Sequence, residues 1–389
     1  MGSGCPIDGG RVRRIGATVT TRVAVNLLWC VPGRVGGSEE YLVRQLQGIV
    51  AHRSEFDVHV FAPRGFTAAH PELADLVPIH EAPTSAARRS MRVVVENTWL
   101  ARATRGFDIV HHGGGTIPTF GARHTLLTIH DVQYTAYPEY FSRLKLAYLR
   151  SRVPASVARA SMIAAPSQFV KRTLLEQFGV SEKRVIVVRH GMPPRLGANA
   201  TSATELRTKF GLGDRKVVVY PAVTHPHKNH RFLVRLLAEN WRDVVLVCAG
   251  SRGLAHDEVS ALAAQLGVAD RVRMVGRVSD DDRDGLLALA EAMVFPSLYE
   301  GFGAPLVEAM TIGTPVICSD QAAVPEVVGG AAMVLPLDQA AWASALDAVT
   351  SRRTELIEAG LARAQTFSNA ASGDDLATAY RAVTRGEIA

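Results

Sequence analysis

The sequence predicts an α/β protein made of two doubly wound domains that face each other across a cleft. Short β-branched runs alternate with helix-length segments along the chain, which is typical of β-α-β units in a parallel sheet. The alternation stops once, at a stretch rich in Pro, Gly, Ser and Thr, and then resumes. With 389 residues, the chain is long enough for about two or three domains.

The predicted strands form two series, one for each domain. The first domain spans residues 21–191, with strands at Val23–Leu28, Phe56–Phe61, Asp108–His111, Thr125–Ile129, Ser161–Ala165 and Val185–Val188. The second spans residues 205–367, with strands at Val217–Tyr220, Val244–Cys248, Val272–Val275, Met293–Phe295, Val316–Cys318 and Met333–Leu335. We expect a linker at residues 192–204, a flexible N-terminal extension at residues 1–20 and a C-terminal helix at residues 368–389.

Composition excludes several classes of protein. Apolar residues make up 47% and charged residues 21%, so the chain is not disordered, collagen-like or a coiled coil. The net charge of +6 is spread along the chain, which leaves attraction to phosphates or to an anionic membrane open and predicts no nucleic-acid partner. Four widely spaced cysteines indicate neither a zinc site nor a disulfide framework, and no apolar run reaches the ~18 residues that cross a bilayer. We therefore expect a cytoplasmic protein.

The segment from Phe295 to Cys318 is the most informative about chemistry. Its order is strand, glycine loop, short helix and strand, because Pro305 suits the start of a helix and Gly313 suits its left-handed end. The amides of Ala304 and Leu306 at the helix start are expected to be free to attract a phosphate.

Two glutamates flank that helix start. Glu300 precedes the helix and Glu308 lies about one turn inside it, so both carboxylates are expected to point into one pocket and to accept hydroxyls of a sugar and a ribose. The alternative is purely structural, with Glu300 ending a loop and Glu308 serving as a favourable acid near a helix N-terminus.

These residues resemble a known family signature. Glu300-Gly-Phe-Gly, Glu308-Ala-Met and the following Gly-Thr-Pro-Val are similar to the E-x7-E motif of retaining GT-B glycosyltransferases of family 4. Further motifs follow in the order of that family: Gly36-Gly37, His130-Asp131, Pro166-Ser167, His190-Gly191, His227-Lys228-Asn229, Val275-Gly276-Arg277-Val278 and Phe295-Pro296-Ser297. The resemblance covers roughly residues 23–385. It implies a GT-B fold of two Rossmann-like domains, an N-terminal one for the acceptor and a C-terminal one for the nucleotide-sugar donor, with the last helix returning to the first.

The resemblance also implies roles for residues. His130, Lys228 and Glu300 are expected to be catalytic: His130 lies beside the donor sugar, Lys228 neutralises the diphosphate, and Glu300 binds the sugar hydroxyls. The expected donor-binding residues are Gly36, Gly37, His225, His227, Asn229, Gly276, Arg277, Val278, Gly301, Phe302, Gly303, Ala304, Pro305, Leu306 and Glu308, with Glu308 on the ribose. Each also has a structural alternative, such as a plain turn at the glycines, a solvated lysine or a satisfied histidine.

Two details of the glycine and lysine segments matter below. After Gly36-Gly37, Ser38 is expected to cap a helix whose apolar stripe is Leu42, Leu46, Ile49 and Val50. Many relatives carry an arginine six residues before the lysine, where this chain has Ala222. Either His225 or His227 substitutes for that cation, in which case donor affinity falls above the histidine pKa, or the phosphate is held with one fewer cation.

The sequence thus predicts a metal-independent retaining glycosyltransferase, without a cofactor, that moves a hexose from a nucleotide-diphosphate sugar to a glycan, a glycolipid or another hydroxyl acceptor of the cell surface. The segment from His227 to His230 resembles that of mannosyltransferase-like members of the family, and this resemblance favours GDP-mannose over UDP-glucose. Three alternatives stay open: a UDP-glucose enzyme, a GT-B isomerase or hydrolase of a nucleotide sugar, and a non-catalytic nucleotide-binding homologue.

One basic segment leaves a partner open. Apolar residues at 144, 146, 149 and 153 are flanked by Arg143, Lys145, Arg150, Arg152 and Arg159. This pattern fits either a helix that contacts the inner membrane face or an ordinary amphipathic helix of the domain.

Overall fold

The computed structural model describes residues 20–31, 36–86, 88–122 and 124–386. The predicted N-terminal extension, apart from Thr20, and residues 387–389 of the predicted terminal helix lie outside the described residues. Two parallel sheets form the centres of two domains. No helix in the described ranges has the length and apolarity that spanning a membrane requires.

The first sheet has seven parallel strands in the order β3-β2-β1-β4-β5-β6-β7. They are β1 (Thr21–Asn26), β2 (Phe56–Ala62), β3 (Ile79–Glu81), β4 (Ile109–His112), β5 (Thr125–Thr128), β6 (Met162–Ala165) and β7 (Val185–Val187). The predicted strands of this domain are confirmed, with bounds shifted by at most two residues. Sequence analysis missed β3, because this short edge strand is largely exposed and needs no apolar run.

Helices cover both faces of the first sheet. They are α1 (Gly37–Ile49), α2 (Phe66–Ala69), α3 (Pro71–Ala74), α4 (Arg89–Val95), α5 (Ala101–Ala103), α6 (Gln133–Ala136), α7 (Arg143–Arg159) and α8 (Gln168–Phe178). The predicted cap of α1 is wrong: Gly36 is the N-cap and no side chain caps the helix, so Ser38 lies inside the first turn. Glycine at the first two positions lets the helix begin ahead of the serine. Leu42, Leu46 and Ile49 are buried as predicted.

The second sheet has six parallel strands in the order β10-β9-β8-β11-β12-β13, and all of them were predicted. They are β8 (Lys216–Tyr220), β9 (Val244–Cys248), β10 (Val272–Met274), β11 (Ala292–Phe295), β12 (Val316–Ser319) and β13 (Met333–Leu335). The surrounding helices are α9 (Ala203–Phe210), α10 (His230–Glu239), α11 (His256–Gln265), α12 (Asp280–Leu289), α13 (Ala304–Ile312), α14 (Val324–Val328), α15 (Gln339–Ala343), α16 (Ala345–Ser351) and α17 (Arg353–Ala364).

The last helix, α18 (Asn369–Arg385), leaves the second domain and packs on α1 of the first. Gly48 and Gly373 allow the two backbones to touch, since a Cβ on Gly373 would lie 2.3 Å from the carbonyl carbon of Gly48. Leu376 and Tyr380 are buried in the core of the first domain. The stretch predicted as linker forms turns at residues 194–199, and α9 begins at Ala203 with Ser202 as its N-cap, so the last two residues of the stretch are helical.

We predict that the folded state loses stability in mild acid. His111, His112, His190 and His230 are buried, and burial lowers the pKa of His190 to about 4 and of the other three to about 3. The unfolded chain takes up these protons near pH 6.5 and the folded chain does not, so each histidine costs about 1 kcal/mol of stability between pH 7 and pH 5.5. Thermal unfolding should show a clearly lower melting temperature at pH 5.5, and an equal or higher one would contradict this assignment.

Candidate active site

Two loops of the second domain bring Lys228 and Glu300 together. Lys228 ends a short 3₁₀ turn after β8, and Glu300 follows β11, the strand beside β8. Their side chains are partly buried, and Lys228 Nζ lies 2.6 Å from Glu300 Oε1. This ion pair stands beyond the carboxyl ends of the central strands, which is where doubly wound sheets bind ligands.

Hydrogen bonds tie the two loops to each other. The Tyr220 hydroxyl donates to the Lys228 carbonyl at 2.8 Å and lies 2.9 Å from the Ser297 hydroxyl. The Asn229 side-chain amide donates to the Pro296 carbonyl at 3.3 Å, and the residue adopts the left-handed backbone (φ 56°) that precedes α10. Asn229, expected to bind a donor, thus holds the Lys228 loop against the Glu300 loop.

The glycine loop before α13 has the predicted start and end. Gly303 adopts φ 94° as the N-cap, Pro305 lies in the first turn, and Gly313 ends the helix at φ 84°. The expectation of a free Leu306 amide is wrong, because this N–H donates to the Gly303 carbonyl at 3.0 Å. The left-handed glycine turns its carbonyl toward the first turn of the helix, which places an acceptor within reach of that amide.

Glu308 makes a buried ion pair with the other domain. Its Oε1 lies 3.0 Å from Nη2 of Arg44 on α1, and its Oε2 lies 4.0 Å from Nε of Arg283. Burial opposes ionisation of this carboxyl, but the charges of Arg283 and Arg44 outweigh it and hold the pKa below its usual value. Glu300 and Glu308 therefore have different cationic partners.

Sequence analysis missed Arg44. Its spacing from Glu40 resembles an exposed i,i+4 pair, yet the arginine side chain is buried and also donates to the Gly191 carbonyl at 3.4 Å. The available signal was its place between Leu42 and Leu46, within the apolar stripe of α1.

His130 lies two residues beyond β5 and faces the cleft from the first domain. Its Nε2 donates to the Gly113 carbonyl at 2.9 Å, which leaves Nδ1 as a hydrogen-bond acceptor. The ring packs 5.6 Å from Trp29 and 5.4 Å from Tyr41, measured between centroids. Burial lowers the pKa of His130 to about 4, so the ring is neutral at pH 7.

The first domain contacts the glycine loop directly. A Cβ on Gly301 would lie 2.1 Å from the His130 carbonyl oxygen, so only glycine allows this approach. The neighbouring Phe302 stacks on the His190 ring, with centroids 5.2 Å apart. The structure therefore brings the predicted residues His130, Gly301 and Phe302 together across the cleft.

His225 and His227 precede Lys228 and stack on each other at 5.9 Å. Burial and the nearby lysine charge lower the pKa of both, that of His227 to about 3. Ala222 is buried, and Gly250 packs so closely on it that a Cβ there would lie 2.0 Å from the Ala222 carbonyl oxygen.

The other predicted donor residues lie in turns at the start of α1 and after β10. Gly36 and Gly37 are exposed at the start of α1. Gly276 adopts φ 73° in the turn after β10, and the exposed Arg277 and partly buried Val278 follow it. Over the described ranges, no group of three His, Cys, Asp or Glu side chains is arranged to hold a metal ion.

Two family models match the chain. The model for glycosyl transferases group 1 matches residues 202–363. The model for glycosyltransferase family 4 matches residues 35–196. Each model therefore covers most of one domain.

Curated relatives include several mannosyltransferases. O-antigen chain mannosyltransferase B of Escherichia coli is 31% identical over 58% of this chain and 61% of its own length. O-antigen chain mannosyltransferase RfbU of Salmonella typhimurium is 30% identical over 61% and 62%. MMP alpha-(1->4)-mannosyltransferase of Mycolicibacterium hassiacum is 30% identical over 48% and 52%. The chain thus spans between half and two thirds of the length of these relatives.

Solved structures share the fold at lower identity. HepE of Anabaena in complex with UDP and glucose has a TM-score of 0.72 at 20% identity, over 93% of this chain and 99% of that one. Sucrose-phosphate synthase from Thermosynechococcus elongatus has a TM-score of 0.74 at 19% identity, over 95% and 100%. With both domains matched by family models and both sheets in the GT-B arrangement, the chain belongs to the GT-B glycosyltransferases of the family 4 type.

Proposed function

We propose that the protein transfers a hexose from a nucleotide-diphosphate sugar to a hydroxyl acceptor, with retention of configuration at the anomeric carbon. The observation that carries this proposal is the contact of 2.6 Å between Lys228 Nζ and Glu300 Oε1, close to His130 of the other domain. The two charges neutralise each other in the free protein. A bound donor offers its diphosphate to Lys228 and its sugar hydroxyls to Glu300, which exchanges one ion pair for two polar contacts.

The chemistry follows from these positions. The acceptor oxygen bonds to the anomeric carbon on the face that the diphosphate leaves, the bond from that carbon to the phosphate oxygen breaks, and the acceptor proton passes to the departing phosphate. Lys228 stabilises the charge that develops on the leaving group. The neutral His130 ring offers Nδ1 as an acceptor to a sugar hydroxyl, and the contact at Gly301 limits the access of water.

We propose GDP-mannose as the donor and a glycan, glycolipid or other hydroxyl compound of the cell surface as the acceptor. The names of the mannosyltransferase relatives support this donor and this setting. UDP-glucose is the alternative donor, and the HepE complex with UDP and glucose supports it. Because Lys228 supplies a cation for the diphosphate, we propose that the reaction needs neither a metal ion nor another cofactor.

Calorimetric binding of GDP, UDP and ADP tests the donor. We predict the tightest binding for GDP, and an at least tenfold weaker binding in Glu308→Gln, because the variant loses a charged hydrogen-bond acceptor for the ribose worth about 1.5–3 kcal/mol. The control is Arg44→Ala, which breaks the same ion pair but keeps the carboxylate, and which should bind GDP as tightly as the wild type or more tightly.

Several outcomes contradict parts of this proposal. Tighter binding of UDP than of GDP would replace GDP-mannose with a UDP-sugar as the proposed donor. An equal loss of GDP affinity in Glu308→Gln and Arg44→Ala would mean that Glu308 serves only to join the domains. Incubation with donor and an acceptor panel then tests transfer, with the product anomer read by NMR. Rapid donor turnover without acceptor indicates the hydrolase or isomerase alternative, binding without turnover indicates the non-catalytic one, and loss of transfer in the presence of a chelator contradicts metal independence.

A second prediction concerns the cation missing at Ala222. Because the lowered pKa values of His225 and His227 make both neutral, we propose that the diphosphate is held with one fewer cation and that neither histidine substitutes. Calorimetric affinity for the donor nucleotide should therefore stay within about twofold from pH 6.5 to pH 8. A tenfold fall per pH unit in this range would show that a histidine takes up a proton when the nucleotide binds.

We also propose that the protein works in the cytoplasm and contacts the inner membrane face through α4 and α7. Four of the six large exposed hydrophobic side chains in the described ranges lie on or beside these helices: Met91 (49% exposed), Val94 (56%), Phe120 (68%) and Leu144 (87%). The helices are neighbours, because the Arg89 guanidinium lies 4.8 Å from the Tyr148 ring centroid. Three buried free thiols, Cys30, Cys248 and Cys318, suit a reducing compartment.

Charge supports the membrane proposal over an ordinary domain helix. Neither α4 nor α7 contains an acidic residue, and Arg143, Lys145 and Arg150 of α7 are exposed. Arg152 and Arg159 instead donate to backbone carbonyls of the first domain, so the last turns of α7 have a structural function. Apolar side chains framed by cations are complementary to anionic lipid headgroups.

Vesicle binding tests this surface. We predict that the protein sediments with phosphatidylglycerol vesicles, that salt weakens the binding, and that Leu144→Glu reduces it at least fivefold without changing nucleotide affinity, because the variant removes an inserted side chain and repels the lipid charge. The matched control is Leu361→Glu, at a residue that is 41% exposed on α17. Equal vesicle binding by wild type and Leu144→Glu would contradict the proposal.

A further inference from the structure

The first turn of α8, in the N-terminal domain, is bound by a carboxylate of the C-terminal domain. The backbone N–H of Gln168 donates to Glu326 Oε1 at 2.6 Å, and that of Phe169 donates to Glu326 Oε2 at 2.8 Å. These N–H groups have no carbonyl partner inside their own helix, and the positive end of the helix dipole favours a carboxylate at this position. Both oxygens of Glu326 are thus used by the other domain.

A second bond lies beside the first. The hydroxyl of the buried Ser167 accepts from the Val170 N–H at 3.2 Å, which caps α8, and donates to the Gly301 carbonyl at 2.7 Å. Gly301 follows Glu300, so the start of α8 contacts both α14 and the loop that carries the candidate catalytic carboxylate.

Glu326 is also connected to Glu300 within its own domain. It lies on α14, and the N–H of Ala323, immediately before this helix, donates to the Glu300 carbonyl at 3.4 Å. Arg363 on α17 donates from Nη2 to the Glu326 carbonyl at 2.7 Å, and this hydrogen bond anchors α14 within the second domain. A displacement of Glu326 therefore moves a segment that is hydrogen-bonded to the Glu300 backbone.

These contacts differ from the packing inside each domain. Interfaces between domains of one chain are generally small and polar, so a few hydrogen bonds decide whether they stay together. The bonds of Glu326 to Gln168 and Phe169 break when the domains separate, and water then hydrates all the groups, so closing and opening differ little in free energy.

We propose that Glu326 is a positioning residue: by binding the first turn of α8 it clamps the two domains together and holds Glu300 in place beside Lys228. The clamp keeps the Gly301 loop against His130, where the approach is close enough to require glycine. Its effect on turnover rests on the proposed function, whereas its effect on the distance between the domains does not.

Three variants test the clamp. Glu326→Ala removes both acceptors, Glu326→Gln keeps one acceptor oxygen without the charge, and Glu355→Ala is the matched control. Glu355 lies on α17 of the same domain, and its partner is Arg352, three residues away on the surface. For each protein we would measure the radius of gyration by small-angle X-ray scattering, nucleotide affinity by calorimetry, kcat and KM for transfer, the ratio of donor hydrolysis to transfer, and the melting temperature.

We expect Glu326→Ala to have a larger radius of gyration, an about tenfold lower kcat and a higher ratio of hydrolysis to transfer, with nucleotide affinity within about twofold of the wild type. For Glu326→Gln, the radius of gyration, kcat and hydrolysis ratio should lie between those of the wild type and Glu326→Ala. Glu355→Ala should match the wild type in all three. An unchanged radius of gyration in Glu326→Ala would overturn the clamp, as would an equal loss in Glu355→Ala. If the wild type shows no transfer, the proposed function fails, and the scattering comparison still decides the clamp.

Discussion

A buried ion pair between Arg44 and Glu308 joins the two domains of this chain at the cleft. Both side chains are less than one tenth exposed, and charges this deeply buried are tolerated only when they are paired. The two charges belong to different domains, so each domain supplies a counter-charge for a buried ion of the other. The pair holds the middle of α1 against α13. The contacts at Gly301 and at Glu326 join the same two domains at other points of the cleft.

Hydrogen bonds and ion pairs join the domains across the cleft beside aromatic contacts such as those of Phe302 with His190 and of Tyr299 with Phe169, whereas the interiors of the domains are apolar. One hydrophobic core surrounds the second sheet, and separate cores lie on the first sheet, where α18 completes one of them. A purely apolar interface of similar area would hold the domains shut, because opening would expose apolar surface to water and hydration would not offset that cost in free energy. Hydrogen bonds and ion pairs can be exchanged for hydration when the domains separate, so they oppose opening less than apolar contacts do.

Burial gives the cleft its electrostatic character. His130, His190 and His227 all have lowered pKa values and are neutral at pH 7, so the histidines add hydrogen-bonding groups without adding charge. The cation beside Glu300 is Lys228. Under the proposed function, Lys228 in this partly buried site interacts more strongly with a diphosphate than it would in water, which fits the alanine at position 222.

The sequence by itself determined the features that depend on neighbouring residues. β-branched runs predicted the strands of both sheets, except the exposed edge strand β3, and Pro305 and Gly313 marked α13 because the proline ring fixes φ and glycine tolerates the left-handed backbone. The family motifs also predicted site residues on both sides of the cleft. Tertiary structure decided their partners: Glu308 pairs with Arg44, the Leu306 amide is occupied, and Glu326 binds α8. Arg44 and Glu308 stand 264 positions apart, and Glu326 and Gln168 158 positions apart. Local spacing carries no information about such contacts, because they exist only once both sheets have formed and the domains have met.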